Sequence, residues 1–312
     1  ALARLAFPTT SGLPELAAGL LAFIPQFTFL HAYITNDGLA NLAGALGLWT
    51  LARVIYAPDA PDAGVRRAWL LAGLAASLTL VVKMTAWFVL PLAGLLLLDR
   101  WRRGLRSGAQ TGGDLATWLA ALCMVPVLVG LIWPDFAARL LNAPHTGGIR
   151  PDYATLEHLW GLAPMTHASF WGRFGWVNVP VPRPLPWALD AIWAVGLGGV
   201  VYGVARAGRA LDRIREARRG PMFWQILWLC LAACGFVFIL FIGFNLTVMQ
   251  PQGRFFYPAV AAPVLWVAWG WSQWLGAGRG SHRGLGVVLL LGLLVGINLW
   301  GLCAGLGSAY WG

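Results

Sequence analysis

The chain has 312 residues, of which 59% are hydrophobic and only 11% charged, and its formal net charge is +10. This charged fraction is about half that of an ordinary soluble domain, which excludes a soluble globular protein. The positive charge lies mostly between long apolar runs, so we expect membrane lipids with anionic headgroups, and not nucleic acid, to be its partner.

The apolar runs predict an all-α fold in which a single domain, residues 1–312, forms a polytopic bundle of transmembrane helices. An apolar run of about 18 residues or more is long enough to cross a bilayer as a helix. The 19 Trp residues agree with this location, because indole rings favour the headgroup level. We expect nine spans, at residues 13–34, 38–56, 68–82, 84–98, 115–133, 187–205, 222–244, 255–274 and 285–306.

The stretch 68–98 decides the orientation, because it can form either two short spans or one long tilted helix. Lys and Arg are enriched in cytoplasmic loops. With two spans, fifteen basic residues lie in cytoplasmic loops and six lie outside. With one span, eight lie in cytoplasmic loops and twelve outside, and Lys83 is buried in mid-membrane. Two spans are therefore favoured. Their shortness predicts that they cross a locally thin or protein-lined region.

This orientation places four segments on the outer side, namely the turn at Asn36 and Asp37, the turn around Lys83, a long loop at residues 134–186 and the segment 245–254. Within the long loop, stretches such as residues 154–162 are expected to form short helices in the membrane interface. The histidines and acids of this loop fit no zinc spacing, so we expect no zinc site there. The four cysteines lie inside apolar runs, which predicts core packing and no disulfide.

Asn36 and Asp37 need an explanation, because an ionisable group at or inside a span is costly unless it is paired or wet. One interpretation is that they cap the helix that follows. The other makes Asp37 a carboxylate at the mouth of a cavity, where it accepts a proton or helps to hold a divalent cation such as Mg²⁺ or Mn²⁺. The two interpretations are compatible.

Lys83 and Arg254 are outer cations with two interpretations each. Lys83, the only lysine of the chain, either extends to the headgroups or binds a phosphate as a compact charge. Arg254, which follows Gln252 and Gly253 at the start of a span, is either an interfacial anchor or a bidentate phosphate ligand. The helix-breaking residues before it favour the ligand.

The segment 169–178, Ser-Phe-Trp-Gly-Arg-Phe-Gly-Trp-Val-Asn, closes the long outer loop. Its aromatic residues are typical of an interface belt. Alternatively, it forms a lid over a lipid-facing cavity, with Arg173, Trp176 and Asn178 as contacts to a substrate.

Four strings carry a resemblance: residues 36–41 (Asn-Asp-Gly-Leu-Ala-Asn), Lys83 after an apolar helix, residues 170–176 (Phe-Trp-Gly-Arg-Phe-Gly-Trp) and residues 252–258 (Gln-Gly-Arg-Phe-Phe-Tyr-Pro). Together they resemble a bacterial family of polytopic membrane proteins allied to the GT-C glycosyltransferases, the class of the protein mannosyltransferases and lipid A aminoarabinose transferases. The resemblance covers most of the chain. It implies a GT-C-like fold in a bacterial plasma membrane, with further spans before residue 1.

The resemblance also implies that a sugar is moved from a polyprenyl-phosphate carrier to an acceptor on the outer face, by an inverting single displacement. Asp37 would match the acidic residue of the second outer loop. Lys83 and Arg254 would face the lipid phosphate, and the aromatic lid would cover the sugar.

One departure from the family opens an alternative. The main catalytic carboxylate of this class lies in the first outer loop, which has no counterpart in this sequence. Either that loop precedes residue 1, or the protein is a non-catalytic accessory subunit of a larger membrane complex. A transporter of lipid-linked sugars is less favoured, because no helices broken by Gly or Pro occur at matching positions of two halves.

Overall fold

The computed structural model describes residues 1–8, 10–32, 35–56, 63–107, 112–135, 150–174, 178–214, 220–275 and 282–310. These residues form a helical, multi-pass membrane protein, which confirms the all-α, polytopic prediction. Among them, seven helices are long and apolar enough to cross a membrane, namely Asn36–Tyr56, Ala63–Val82, Met84–Leu105, Gly112–Ile132, Pro184–Arg206, Trp224–Asn245 and Gly284–Gly307. They correspond to seven of the nine predicted spans.

The described residues form twelve α-helices, three short 3₁₀ helices and one pair of strands. The α-helices are α1 (Leu2–Ala6), α2 (Leu13–Ala22), α3 (Pro25–His31), α4 (Asn36–Tyr56), α5 (Ala63–Val82), α6 (Val89–Ser107), α7 (Gly112–Ile132), α8 (Leu156–Gly172), α9 (Pro184–Ile214), α10 (Gly220–Asn245), α11 (Ala261–Leu275) and α12 (His282–Tyr310). Short 3₁₀ helices lie at Met84–Ala86, Pro151–Tyr153 and Gly253–Ala259. Two-residue strands β1 (Arg173–Phe174) and β2 (Val179–Pro180) pair antiparallel, with Arg173 opposite Pro180.

The first predicted span, 13–34, is broken into α2 and α3, which meet at a bend of 76°. Pro25 opens α3, and a proline disfavours the helical conformation in the residue before it. Ile24 is accordingly extended, with φ −73° and ψ 116°. Thr28 Oγ1 donates to the carbonyl of Ala22 at 2.6 Å, which satisfies one of the acceptors that the break exposes.

The predicted span 255–274 also begins irregularly. Its first residues belong to the 3₁₀ helix Gly253–Ala259, and only fifteen residues remain for α11. Pro258 lies within the 3₁₀ helix and supplies no backbone N–H, which opposes a continuous α-helix from this point.

The chain breaks at Lys83, so the stretch 68–98 forms two helices and not one. Lys83 is extended, with φ −167° and ψ 136°, between α5 and the Met84–Ala86 helix. The predicted shortness is wrong, because the two spans have 20 and 22 residues. At about 1.5 Å per residue each helix is roughly 30 Å long, but this length includes Arg66 and Arg67 in one helix and Arg102 and Arg103 in the other, so the thin or protein-lined crossing remains a prediction.

Arg100, predicted to lie in a cytoplasmic loop, is instead buried in α6 against α7. Its Nε lies 2.7 Å from Asp114 Oδ2, and the two side chains are 6% and 5% exposed. Sequence reasoning did not single out Asp114. The two helices are therefore joined by an ion pair that is shielded from the surroundings.

The described part of the predicted outer loop contains a longer helix than expected. Helix α8 covers Leu156–Gly172 and not only residues 154–162, and Thr155 caps it by accepting a hydrogen bond from the N–H of His158. The described residues of the predicted lid, 169–174 and Asn178, therefore comprise the end of α8, strand β1 and the residue before β2. Residues 136–149 lie outside the described residues. Helix α8 packs against α3, α9 and the Gly253–Ala259 helix.

Candidate functional site

Asp37 lies at the centre of a cluster of three charged side chains from three separate segments. It occupies the first turn of α4, Lys83 lies between α5 and the Met84–Ala86 helix, and Arg254 lies in the Gly253–Ala259 helix. Lys83 Nζ donates to Asp37 Oδ1. Arg254 Nη1 lies 3.4 Å from Asp37 Oδ2. Both carboxylate oxygens of Asp37 are therefore paired with a cation.

Local structure explains how the cluster assembles. The N–H groups and dipole at the start of a helix stabilise a carboxylate, which suits Asp37 to the first turn of α4. About two turns further along α4, Gly44 allows a close approach, because a Cβ there would lie 2.1 Å from the carbonyl oxygen of Pro258. This contact between α4 and the Gly253–Ala259 helix brings Arg254 within reach of Asp37.

The end of α8 holds the Gly253–Ala259 helix from its other side. The N–H of Gly253 donates to Ser169 Oγ at 2.7 Å, and the hydroxyl of Tyr257 donates to the carbonyl of Phe170. A Cβ on Gly253 would lie 2.4 Å from the Phe170 nitrogen, so glycine is required for this contact. Two of the sequence strings that carry the resemblance are thus packed against each other, next to Arg254.

The cluster combines two cations with one anion and so has a net charge of +1. The Asp37 side chain is 9% exposed, that of Lys83 18% and that of Arg254 26%. Arg254 Nε is buried and has no hydrogen-bond partner among the described residues. Lys83 Nζ also lies 5.2 Å from the centre of the Phe255 ring, a favourable cation–π distance. A buried donor without an acceptor costs about 1–3 kcal/mol, so the geometry favours a further acceptor such as an anion.

A cavity of about 290 Å³ opens beside Lys83 and Arg254. Thr85 and Gln250 add polar groups to its lining, and the rest is apolar and largely aromatic: Met84, Leu240, Phe241, Phe244 and Phe255. This size is near the lower end of small-molecule sites in proteins. The cavity is suited to a ligand with an anionic group for the cations and an apolar part for the aromatic wall.

Asn36 and Gln252, two other predicted site residues, flank the cluster in sequence. Asn36 is the exposed first residue of α4. Gln252 precedes the 3₁₀ helix that carries Arg254, and its Oε1 is buried without a hydrogen-bond partner in the described part of the chain. Their predicted contacts with a substrate remain predictions.

The predicted contacts of the lid lie around the strand pair. Arg173 donates its backbone N–H to Gln26 Oε1 at 2.9 Å, and its Nη1 lies 2.7 Å from Met165 Sδ. Asn178 is exposed in the turn before β2. Trp176 lies outside the described residues. The roles predicted for these residues remain predictions.

In the predicted outer loop, His158 and Asp152 have separate partners, and His145 lies outside the described residues. His158 stacks on Tyr153 with ring centres 4.6 Å apart, and Asp152 pairs with Arg150 at 3.0 Å. In the described ranges, no group of three or more His, Cys, Asp or Glu side chains lies close enough together to hold a metal ion. The neighbours of Asp37 are both cations, which favours an anion over a divalent cation at this point. A bound Mg²⁺ or Mn²⁺ remains a prediction.

Sequence reasoning missed the neutral residues that shape the cavity. Phe255 follows Arg254 directly and Thr85 lies two residues after Lys83, so a wider search around each cation would have found them. Gln250 has no such signal, because the bend that directs it towards the cavity is a property of the fold. Its backbone N–H donates to Asn245 Oδ1 at 2.9 Å, at the end of α10.

Comparison of the chain with protein-family models, with curated proteins and with solved structures found no match. The geometry of the Asp37 cluster and the residues around it therefore provide the basis for a function.

Proposed function

We propose that this protein is a membrane glycosyltransferase that moves a sugar from a polyprenyl-phosphate carrier to an acceptor on the outer face of a bacterial plasma membrane. The observation that carries the proposal is the cluster in which Asp37 joins Lys83 and Arg254 beside a cavity. A second support is that all three residues lie in the strings that resemble the GT-C-allied family.

The two cations are suited to the phosphate of the carrier. Arginine presents a planar fork of donors to phosphate oxygens, and lysine adds a compact charge. The Nε of Arg254 is buried with no partner among the described residues, so it is available to one of those oxygens. The segments that hold the cluster adjoin membrane-spanning helices, which is where the headgroup of a lipid carrier lies.

In the proposed reaction, the phosphate takes over the two cations that pair with Asp37 in the absence of substrate. The acceptor oxygen then forms a bond to the anomeric carbon of the sugar, while the bond from this carbon to the phosphate oxygen breaks. The electron pair leaves with the phosphate, where Lys83 and Arg254 stabilise the developing charge. The proton of the acceptor goes to the released carboxylate of Asp37.

No step of this reaction uses a metal ion. A divalent cation at Asp37 would have to approach two positive side chains, and the described residues offer it no second carboxylate in the cluster. The residues present therefore fit a phosphate better than Mg²⁺ or Mn²⁺.

One observation favours the accessory subunit as a second candidate. Both oxygens of Asp37 are paired and its side chain is 9% exposed, an arrangement that also suits a purely structural ion pair. In that case the cluster would only tie α4 to the two segments that carry the cations. The two candidates differ in whether the cations bind a lipid phosphate.

The test compares binding and transfer in the same purified variants. Binding of geranylgeranyl phosphate is measured by native mass spectrometry. Lys83→Met and Arg254→Met are each expected to weaken it roughly 10- to 100-fold, because a hydrogen bond to a charged group contributes about 1.5–3 kcal/mol. Arg150→Met, which removes an exposed cation outside the cluster, is the matched control and should bind normally.

Asp37→Asn separates binding from chemistry. It raises the net charge of the cluster from +1 to +2, so binding of the phosphate should persist or tighten. Transfer of a radiolabelled sugar from a polyprenyl-phosphate donor should be lost. Full transfer by Asp37→Asn, or unchanged binding in both cation variants, would refute the assignment. Absence of both binding and transfer in the unaltered protein would favour the accessory subunit.

A further inference from the structure

A second and larger cavity, of about 720 Å³, forms a groove between α8, α9, α10 and the Gly253–Ala259 helix. One face of α8 supplies much of its wall, through residues spaced three and four apart. The opposite wall is formed by Phe238, Phe241, Ile242 and Phe256. The polar groups among the lining side chains are few, and they belong to Trp160, Thr166, His167, Trp171 and Asp190. The groove therefore fits a ligand that is largely apolar and carries one small polar group.

The polar groups are centred on Asp190, the seventh residue of α9. His167 Nε2 lies 3.0 Å from both oxygens of Asp190, and Trp171 Nε1 lies 2.8 Å from Oδ1. The carboxylate can only accept, so the imidazole nitrogen that faces it carries the proton. Trp171 Nε1 is also 3.1 Å from His167 Nε2, but both nitrogens are then donors and share the carboxylate as their acceptor.

The proton on Nε2 also determines the role of Nδ1, the other nitrogen of the His167 ring. In a neutral imidazole with a proton on Nε2, Nδ1 is an acceptor. No hydrogen-bond partner of Nδ1 occurs among the described residues, and the His167 side chain is half exposed at the groove. Asp190 thus orients a hydrogen-bond acceptor that is available to a ligand in an otherwise apolar cavity.

The helix also loses one of its regular hydrogen bonds beside the groove. Pro164 lies inside α8 and has no N–H, so the carbonyl of Trp160 lacks the donor that normally follows it by four residues. Trp160 also lines the groove. A ligand that carries a donor is therefore better matched to this wall than one that carries only acceptors.

We propose that the groove binds a lipid alcohol, with its hydrocarbon chain along the apolar walls and its hydroxyl donating to His167 Nδ1. With neutral His167 the polar cluster has a net charge of −1, which opposes a phosphate or carboxylate headgroup. The same charge would attract an ammonium group, so a lipid amine is the competing ligand in the test below. The proposal stands independently of glycosyl transfer, since it concerns binding at a different cluster.

The test uses 1-hexadecanol with a photoreactive diazirine in its chain, the corresponding methyl ether and the corresponding primary amine. After irradiation of the full-length protein in nanodiscs, the labelled residues are mapped by mass spectrometry. The alcohol should label residues that line the groove, and the ether, which has lost the donor, should label them roughly tenfold less. This comparison needs no variant and so does not depend on how a variant folds.

Two matched histidine variants complete the test. His167→Phe keeps a ring in the groove but removes the acceptor, and it should reduce labelling by the alcohol to the level of the ether. His158→Phe, on the same helix but stacked on Tyr153 away from the groove lining, should leave labelling unchanged. Equal labelling by alcohol and ether, or stronger labelling by the amine, would overturn the proposal. So would labelling that His167→Phe does not reduce.

Discussion

The ion pair between Asp37 and Lys83 can be tested as an energetic unit with a double-mutant cycle. The cycle comprises Asp37→Asn, Lys83→Met and the double variant. Removing one partner of a buried ion pair costs about 3–5 kcal/mol, because the other charge is left uncompensated. Lys83 and Arg254 are 18% and 26% exposed, so water relieves part of this cost. We therefore expect Asp37→Asn to lower the free energy of unfolding by about 3 kcal/mol.

The double variant should lose less free energy of unfolding than the sum of the losses of the two single variants. Lys83→Met leaves Asp37 paired with Arg254 at 3.4 Å, and we expect a loss of about 1–2 kcal/mol. The double variant removes both charges of the closer pair and leaves only Arg254 unpaired. It should therefore cost about 3 kcal/mol, which corresponds to a coupling energy of about 1–2 kcal/mol between the two residues.

The assay is equilibrium unfolding in mixed micelles, with the free energy of unfolding obtained from far-UV circular dichroism as sodium dodecyl sulfate is increased. The exposed pair Arg150 and Asp152, whose side chains are 54% and 58% exposed, provides the control cycle. Its coupling should be much weaker than that of the buried pair, because solvent screens two exposed charges. Additive effects at Asp37 and Lys83, or equal coupling in the two cycles, would refute the reasoning that the cluster is buried and cooperative.

Two further substitutions test the packing around the site by the same unfolding assay. Gly44→Ala should cost about 1–3 kcal/mol, because its Cβ would lie 2.1 Å from the backbone oxygen of Pro258. Gly130→Ala is the control, because nothing lies within 4 Å of the new Cβ in its helix, and it should stabilise the protein by up to about 1 kcal/mol. A change in the free energy of unfolding with the same sign in both variants would contradict the close approach of Gly44 to Pro258. Asp114→Asn should cost about 3–5 kcal/mol, because it leaves Arg100 buried beside a neutral group, and a loss below about 1 kcal/mol would show that the pair is solvated.

The helical architecture was largely predictable because apolar runs report membrane spans directly. The break at Lys83 followed from the distribution of arginines, since a single helix would have placed most of them on the wrong side. The ends of α5 and α6 could not be predicted from the apolar runs. Arg66 and Arg67 lie in α5, and Arg102 and Arg103 lie in α6, so each helix extends beyond its apolar run. Sequence hydropathy marks where a helix meets water, not where its hydrogen bonds stop.

The bend at Pro25 was missed because hydropathy does not report a change in the direction of a helix. The run 13–34 is apolar on average despite Glu15, Gln26 and His31, so a pattern of hydropathy gives no sign that the helix changes direction inside it. Only the preference of the residue before a proline, here Ile24, carries that information. Asn298 Nδ2 donates to Thr28 Oγ1 at 2.9 Å and ties the bent segment to α12, a contact between residues 270 apart that no local pattern predicts.

The charged residues of the candidate site were found singly, and their contact was not. Asp37, Lys83 and Arg254 are noticeable because charges are rare at the ends of spans. Their convergence depends on the approach of Gly44 to Pro258, which the sequence does not encode locally. His167 and Asp190 lie 23 residues apart on helices α8 and α9, so their pairing was also missed.

Phe241 gives the two proposed sites a physical relation to each other. Its side chain lines both the 290 Å³ cavity with the net positive cluster and the 720 Å³ groove with the net negative one. It also packs on Phe256 with ring centres 4.9 Å apart. An aromatic partition between clusters of opposite charge keeps an anionic headgroup on one side and a neutral, hydroxyl-bearing lipid on the other. Neither lipid then has to be recognised by its hydrocarbon chain. The charge at Lys83 and Arg254 and the hydrogen bond at His167 already distinguish the anionic lipid from the lipid alcohol.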